Sequence, residues 1–143
     1  MTRVKDILTV KGQDVWSIEP GASVYNAVQL MADKEVGALM VMEGAKVVGI
    51  ISERDYARKI VLHGRSSQTT QVKEIMTSHV VYARPDENIE QCMGLMTEKR
   101  VRHLPVIDEE GRLVGVISIG DLVKSIISEQ KFIIEQLERY ISG

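Results

Sequence analysis

The chain has 143 residues, about one ordinary domain, with 27% charged residues and a net charge of −2, so no overall field draws it toward nucleic acid or a membrane. Hydrophobic residues reach 44% but aromatic ones only 4%, which demands an aliphatic core and leaves few rings for stacking on bases. No apolar run approaches the ~18 residues of a membrane span, no secretory signal pattern opens the sequence, and the single cysteine, Cys92, excludes an intrachain disulfide or a cysteine-rich zinc site; a cytoplasmic protein is expected.

The first strand expected is short and apolar, Val15 to Ile18, leading through Pro20 to a helix capped by Ser23. Val24, Ala27, Val28 and Met31 give that helix one apolar face. Two apolar strands follow, joined by the tight polar turn Glu43-Gly44-Ala45-Lys46, and a last helix opens at Ser52. The polar, glycine-containing stretch from His63 to Thr70 reads as a linker. The same order then begins again. A strand from Val80 to Ala83 leads through Pro85 to a helix capped by Asn88, with Ile89, Cys92, Met93 and Met96 on its apolar face. Two strands flank Asp108-Glu109-Glu110-Gly111, and a helix opens at Ser118.

The two runs are one unit written twice. Pro20 answers Pro85, Met31 answers Met96, Lys34 answers Lys99, and Val41 answers Val106. After one extra residue in the second copy, Val48, Gly49, Ile51, Ser52 and Asp55 answer Val114, Gly115, Ile117, Ser118 and Asp121. Val4-Lys5-Asp6-Ile7 likewise answers Val72-Lys73-Glu74-Ile75. The expected fold is α/β, a β-α-β-β-α unit in residues 1–65 and again in 66–143. A unit of about 60 residues is marginal alone, so the two should pack as one module about an approximate twofold axis. From Asp121 to Ile141 a long helix is expected to extend the second copy. It carries two apolar stripes, Ile126, Ile133, Leu137 and Tyr140 beside Ile127, Ile134 and Ile141, and one of them invites a helix from a second copy of the chain.

The residues that carry chemistry lie where a strand ends and a helix begins: Gly49-Ile50-Ile51-Ser52-Glu53-Arg54-Asp55 and Gly115-Val116-Ile117-Ser118-Ile119-Gly120-Asp121. One reading is a capping box, in which Ser caps the helix and Asp reaches back to the Ser amide. Another is a ligand site, with amides and a hydroxyl presented to an anion and the Asp accepting from the two hydroxyls of a ribose. The motif recurs at the same place in both halves.

On these residues the chain resembles a pair of CBS domains, a Bateman module, over nearly its whole length. Ser52-Glu53-Arg54-Asp55-Tyr56-Ala57-Arg58-Lys59 further resembles stand-alone CBS pairs of bacteria and plant organelles. The resemblance implies a regulatory module without enzymatic activity that binds adenosyl ligands between its repeats: AMP foremost, then ADP, ATP, NAD or S-adenosylmethionine. It also implies that each site joins the Ser-x-x-Asp of one repeat to the first two strands of the other. The first cleft would hold Ser52, Arg54, Asp55, Arg58, Arg102 and His103, with Arg84 in reach, and would suit phosphate. The second would combine Ser118, Asp121 and Lys124 with Ser17, Ile18, Ala38 and Leu39 and would be less basic, since Gly37 and Ala38 stand where the other copy has Arg102 and His103.

His63, His79 and His103 lack ligand spacing, so no metal is expected. The expected partners are a second copy of the chain and a regulated protein that responds to a change of shape. The alternatives are an interaction module that needs no ligand, such as a regulator of a redox or metabolic enzyme (resembling plant chains are tied to thioredoxin regulation), and a detached regulatory piece of an enzyme such as IMP dehydrogenase.

Overall fold

In the computed structural model, which describes residues 2–142, the chain opens with α1 (Val4–Lys11), β1 (Ser17–Ile18), α2 (Val24–Lys34), β2 (Ala38–Glu43) and β3 (Lys46–Ser52). A short α3 (Glu53–Tyr56) widens into a π-helical turn over Ala57–Val61, where one uninterrupted helix was expected. Then come α4 (Val72–Ile75), α5 (Ile89–Lys99), β4 (His103–Ile107), β5 (Leu113–Ser118) and α6 (Ile119–Ser142).

The duplication reaches into the backbone. The Ser23 hydroxyl accepts the Asn26 N–H at 3.0 Å to start α2, and the Asn88 side chain accepts the Gln91 N–H at 2.9 Å to start α5. Both helices stop on a left-handed residue that is not glycine, Glu35 (φ 54°) and Arg100 (φ 55°). β2 and β3 pair antiparallel with Ala38 opposite Ser52, and β4 and β5 pair with His103 opposite Ser118.

The first strands differ. β1 pairs parallel to β2, with Ser17 opposite Met40, and the Met40 N–H donates to the Trp16 carbonyl at 3.1 Å. The strand expected from Val80 to Ala83 is reduced to a single bridge between Ala83 and Val106. Pro105 stands where the first copy has Met40, and it has no N–H to offer the Val81 carbonyl. The ladder therefore loses a rung, and Val80 and Val81 run as irregular chain.

Each repeat takes its lead-in helix from the other half of the sequence. Val4, Ile7 and Leu8 of α1 are buried with Ile89, Met96, Leu104 and Leu122 of the second repeat. Val72 and Ile75 of α4 are buried with Val24, Met31, Leu39 and Ile51 of the first. Backbone bonds fix both crossings: Val4 N–H to Glu87 O at 2.9 Å, and Val72 N–H to Ala22 O at 2.8 Å. The glycine of each motif makes room for them. A Cβ on Gly49 would stand 2.6 Å from Met76 Sδ and 2.9 Å from Thr77 O, and one on Gly115 would stand 2.7 Å from a Leu8 methyl.

The stretch from His63 to Thr70 joins the copies as a strap against α2. The Tyr25 and Val24 N–H groups donate to Ser67 O and Thr70 O, both at 2.9 Å, and the buried Thr70 hydroxyl donates to Ser66 O at 2.7 Å. α6 buries Leu122 and half-buries Ile126 against the second repeat, then leaves the body. Beyond Glu129 every described residue is exposed, including Phe132, Ile133, Ile134, Leu137, Tyr140 and Ile141.

Candidate functional site

Ser52 ends β3 with extended backbone and caps α3, so the strand edge fixes where the helix starts. Its hydroxyl accepts the Asp55 N–H at 3.2 Å, while Asp55 Oδ2 accepts the Ser52 N–H at 2.9 Å and the Ser52 hydroxyl at 3.1 Å. The capping box is therefore formed. It uses one carboxylate oxygen and leaves Oδ1 facing Lys59 Nζ at 3.4 Å, a long ion pair. The Lys59 ammonium spends its closer bond on Ile75 O, at 2.8 Å.

This junction opens on a cavity of about 390 Å³ between the repeats, the size of a small-ligand site. Six of the residues expected there line it together: Ser52, Arg54, Asp55, Arg58, Arg102 and His103. One wall is apolar, from Ile50, Val80, Val81 and Val101, and Thr77 and His79 also line the cavity, with Gly37, Glu53 and Arg100. Thr77 and His79 escaped the sequence reading because they lie on irregular chain after α4, outside every repeat motif. Arg84 is not among the lining residues, although it was expected in reach. Its guanidinium donates to Asp108 O at 2.8 Å, and it lines a separate cavity with Lys46 and Tyr82 at the hairpin turns.

A second cavity, of about 350 Å³, meets Ser118 and Ala38 as expected. The other expected residues lie outside its lining. Side chains alternate along β2, so Ala38 and Met40 face the cavity while Leu39 is fully buried in the first repeat's core. Just before β1, Val15 and Trp16 line the cavity; on the strand itself Ser17 is exposed and Ile18 packs on the core. Lys124 is exposed and lies outside the lining. Asp121 repeats the capping box, its Oδ2 accepting the Ser118 N–H at 2.8 Å, but the same oxygen takes Lys11 Nζ at 2.7 Å. Lys11 and Trp16 were both missed by the sequence reading. Lys11 belongs to a helix of the opposite half, and Trp16 is one residue before the strand position chosen.

The first cavity is strongly cationic. The Arg54 guanidinium is held below its usual value first by Arg102, then by Arg58 and burial, against the pull of Asp55. Arg54, Arg58, Arg100 and Arg102 thus outnumber the two carboxylates of the lining, Glu53 and Asp55, a balance that favours an anion. His103 is different. Burial holds its imidazole below the ordinary value; Lys11 adds to this, Asp121 opposes it, and Arg102 adds again. His103 is therefore neutral at pH 7 and offers a hydrogen bond rather than a charge. It stands at the wall shared by both cavities. Cys92 is buried, and burial with Glu87 beside it pushes the thiol up to about 11, which makes it inert packing. Among the described residues no group of three His, Cys, Asp or Glu side chains could hold a metal ion, and no helix is long and apolar enough to cross a membrane.

Comparison with known proteins gives the same architecture a name. The CBS domain family model matches residues 4–62 and again 72–128. The mitochondrial CBS domain-containing protein CBSX3 of Arabidopsis thaliana is 38% identical, over 99% of this chain and 73% of that protein. A solved protein with CBS domains from Burkholderia ambifaria superposes with a TM-score of 0.86 at 51% identity, covering 90% of this chain and 96% of the other. The CBS domain pair of protein MJ0100, solved with 5′-methylthioadenosine and S-adenosyl-L-methionine, superposes with a TM-score of 0.78 at 25% identity, covering 90% of this chain and 98% of that one. With two matched copies spanning most of its length, the chain belongs to the CBS domain family as a tandem pair.

Proposed function

We propose that the chain is a sensor of adenine nucleotides, with AMP as the preferred ligand, that binds in the first cleft and signals to a partner protein without chemical change of the ligand. One observation carries this reading: Ser52 and Asp55 of one repeat and Arg102 of the other, with Arg54 and Arg58, line a single cavity whose far wall is apolar. Adenine would be buried against Val80, Val81 and Val101. The ribose hydroxyls would donate to Asp55 Oδ1, displacing the long contact from Lys59, and phosphate would sit among the guanidiniums by charge-assisted bonds. The adenosyl ligands of the MJ0100 pair support the same ligand class here. ADP, ATP, NAD and S-adenosylmethionine are the competing ligands.

Binding can signal only if the ligand prefers one of two states of the module. The exposed apolar residues of α6 suit a second copy of the chain, so the acting unit is a homodimer. The same surface also favours the second reading, an interaction module that needs no ligand. We place the protein in the cytoplasm; the mitochondrial name of the Arabidopsis relative makes localisation of the tagged chain the direct check.

Calorimetry of the full chain with AMP, ADP, ATP, NAD and S-adenosylmethionine tests the proposal. AMP is expected to bind, and Asp55→Asn is expected to weaken it by roughly tenfold, the loss of one charged acceptor at about 1.5 kcal/mol. No binding of any of the five ligands would leave the interaction module standing. Unchanged AMP affinity in Asp55→Asn would remove the ribose assignment.

A further inference from the structure

The two Ser-x-x-Asp motifs make the same pair of capping bonds, yet their carboxylates are met by different chemistry. The repeat register that sets Val4 on Val72 also sets Leu8 on Met76 and Lys11 on His79. In the first cleft the lead-in helix stops early. α4 ends at Ile75, Met76 is extended (φ −62°, ψ 154°), and the Thr77 N–H donates to Ile50 O at 2.8 Å. The chain then leaves Asp55 open toward the cavity, with His79 on the wall.

In the second cleft the lead-in helix runs on to Lys11 before Gly12 (φ 98°) ends it, the Gly12 N–H donating to Leu8 O at 2.8 Å. The carbonyl equivalent to Ile50 O is Val116 O, and it is satisfied by Lys11 Nζ at 2.7 Å instead of by a backbone amide. That ammonium also holds Asp121 Oδ2 at 2.7 Å. α1 sets where the lysine stem begins, because Leu8, one turn earlier, packs against Gly115. The pair is tighter than Lys59 on Asp55, which stands at 3.4 Å.

We propose that Lys11 locks the second cleft: its ammonium, bonded to Val116 O and to the capping oxygen of Asp121, stands on the cavity lining where Asp55 stands in the first cleft and covers the carboxylate from a ribose, so each chain binds one adenine nucleotide, in the first cleft. This rests on the nucleotide reading above for what the first cleft binds, but the lock itself is a property of this chain's own residues. A diol entering the second cleft must break a charge-assisted bond on Asp121 and leave the Val116 carbonyl without its donor. In the first cleft the diol displaces only the 3.4 Å contact of Lys59 on Asp55 Oδ1, and the Ile50 carbonyl keeps its backbone donor, the Thr77 N–H. His103, Asp14 and Glu35 line the cavity with Lys11, and the ammonium helps keep His103 neutral.

The test uses the full-length chain as wild type, Lys11→Met, which keeps the apolar stem, and Lys11→Arg, which keeps the charge. Trp16 lines the second cavity and is the single tryptophan, so its fluorescence reports that cleft alone. With AMP, the wild type and Lys11→Arg are expected to bind one equivalent with no tryptophan change. Lys11→Met is expected to bind two, the second with a fluorescence change. A wild type that takes two equivalents, or a Lys11→Met protein that still takes one, overturns the proposal. Independently of any ligand, the Asp121 carboxyl is followed by NMR. Burial pushes that group up, but the Lys11 and Ser118 hydrogen bonds outweigh it and hold it below the ordinary value. Its midpoint should rise in Lys11→Met; an unmoved midpoint overturns the lock. If neither protein binds AMP, the nucleotide reading fails and the one-nucleotide stoichiometry with it, while the carboxyl titration still judges the lock.

Discussion

Arg102→Ala separates a phosphate-binding arginine from one that merely solvates an edge. Arg102 lines the first cavity and is the leading cause of the lowered value at Arg54, so the two guanidiniums repel each other while no anion is bound. A charge-assisted hydrogen bond is worth about 1.5–3 kcal/mol, or roughly a 10- to 150-fold change in affinity. Two features pull the expected loss toward the lower end. Removing Arg102 relaxes Arg54, which can then serve the phosphate better, and the cavity is open enough for salt to screen it. AMP affinity should therefore fall about tenfold at moderate salt and less at high salt, while adenosine, which has no phosphate, should bind as before. The fold is spared, because the one bond Arg102 makes to α6 uses its backbone carbonyl, accepting the Ile119 N–H at 2.9 Å. Calorimetry of AMP and adenosine at two salt concentrations measures all four affinities. Equal losses for both ligands would mean that Arg102 shapes the cleft, and no loss for either would put its charge outside the site.

His103 should take up a proton when AMP binds, because a phosphate nearby raises a value that burial and Lys11 hold down. AMP affinity should then rise as pH falls below about 6.5, and calorimetry in buffers of different ionisation heat should show an uptake that disappears in His103→Gln. In the unliganded chain the sign is opposite: a depressed imidazole contributes stability that is full above about 6.5 and is lost as pH falls through the folded value. Gly49→Ala should cost about 1–3 kcal/mol in chemical denaturation and more than Gly115→Ala, since its Cβ meets the Thr77 carbonyl where the other meets a movable Leu8 methyl. A chain ending at Ser128 should sediment as a monomer if α6 joins two copies; dimers of undiminished strength would move the contact to the repeats.

What the sequence made legible was whatever repeats locally. The caps at Ser23 and Asn88, the hairpins, and the Ser-x-x-Asp junctions depend on residues within a few positions of each other, and each stands where its spacing put it. The six residues of the first cleft were grouped by the resemblance to CBS pairs, which implies that the Ser-x-x-Asp of one repeat faces the first strands of the other; the repeat pattern alone does not say which edges meet. Errors arose where one residue decides a contact that periodicity cannot see. The strand from Val80 to Ala83 looked as good as its counterpart, but it needed a donor at Pro105. Leu39 and Ser17 were placed by strand without the register that turns Leu39 into the core and brings Trp16 to the cavity.

The two halves also differ in a way that no motif records. Each repeat is completed by a helix from the opposite half, so the length of that helix is free to vary while the core contacts at Leu8 and Met76 stay fixed against their glycines. α1 runs three residues past Leu8 and brings an ammonium to Asp121; α4 stops before Met76 and leaves Asp55 open. The lysine and its aspartate are 110 residues apart in sequence, which is why only the folded chain joins them. An ancestral duplication gives two equal clefts. Unequal lead-in helices add to the inequality that Arg54 against Gly120, and Arg102 and His103 against Gly37 and Ala38, already set.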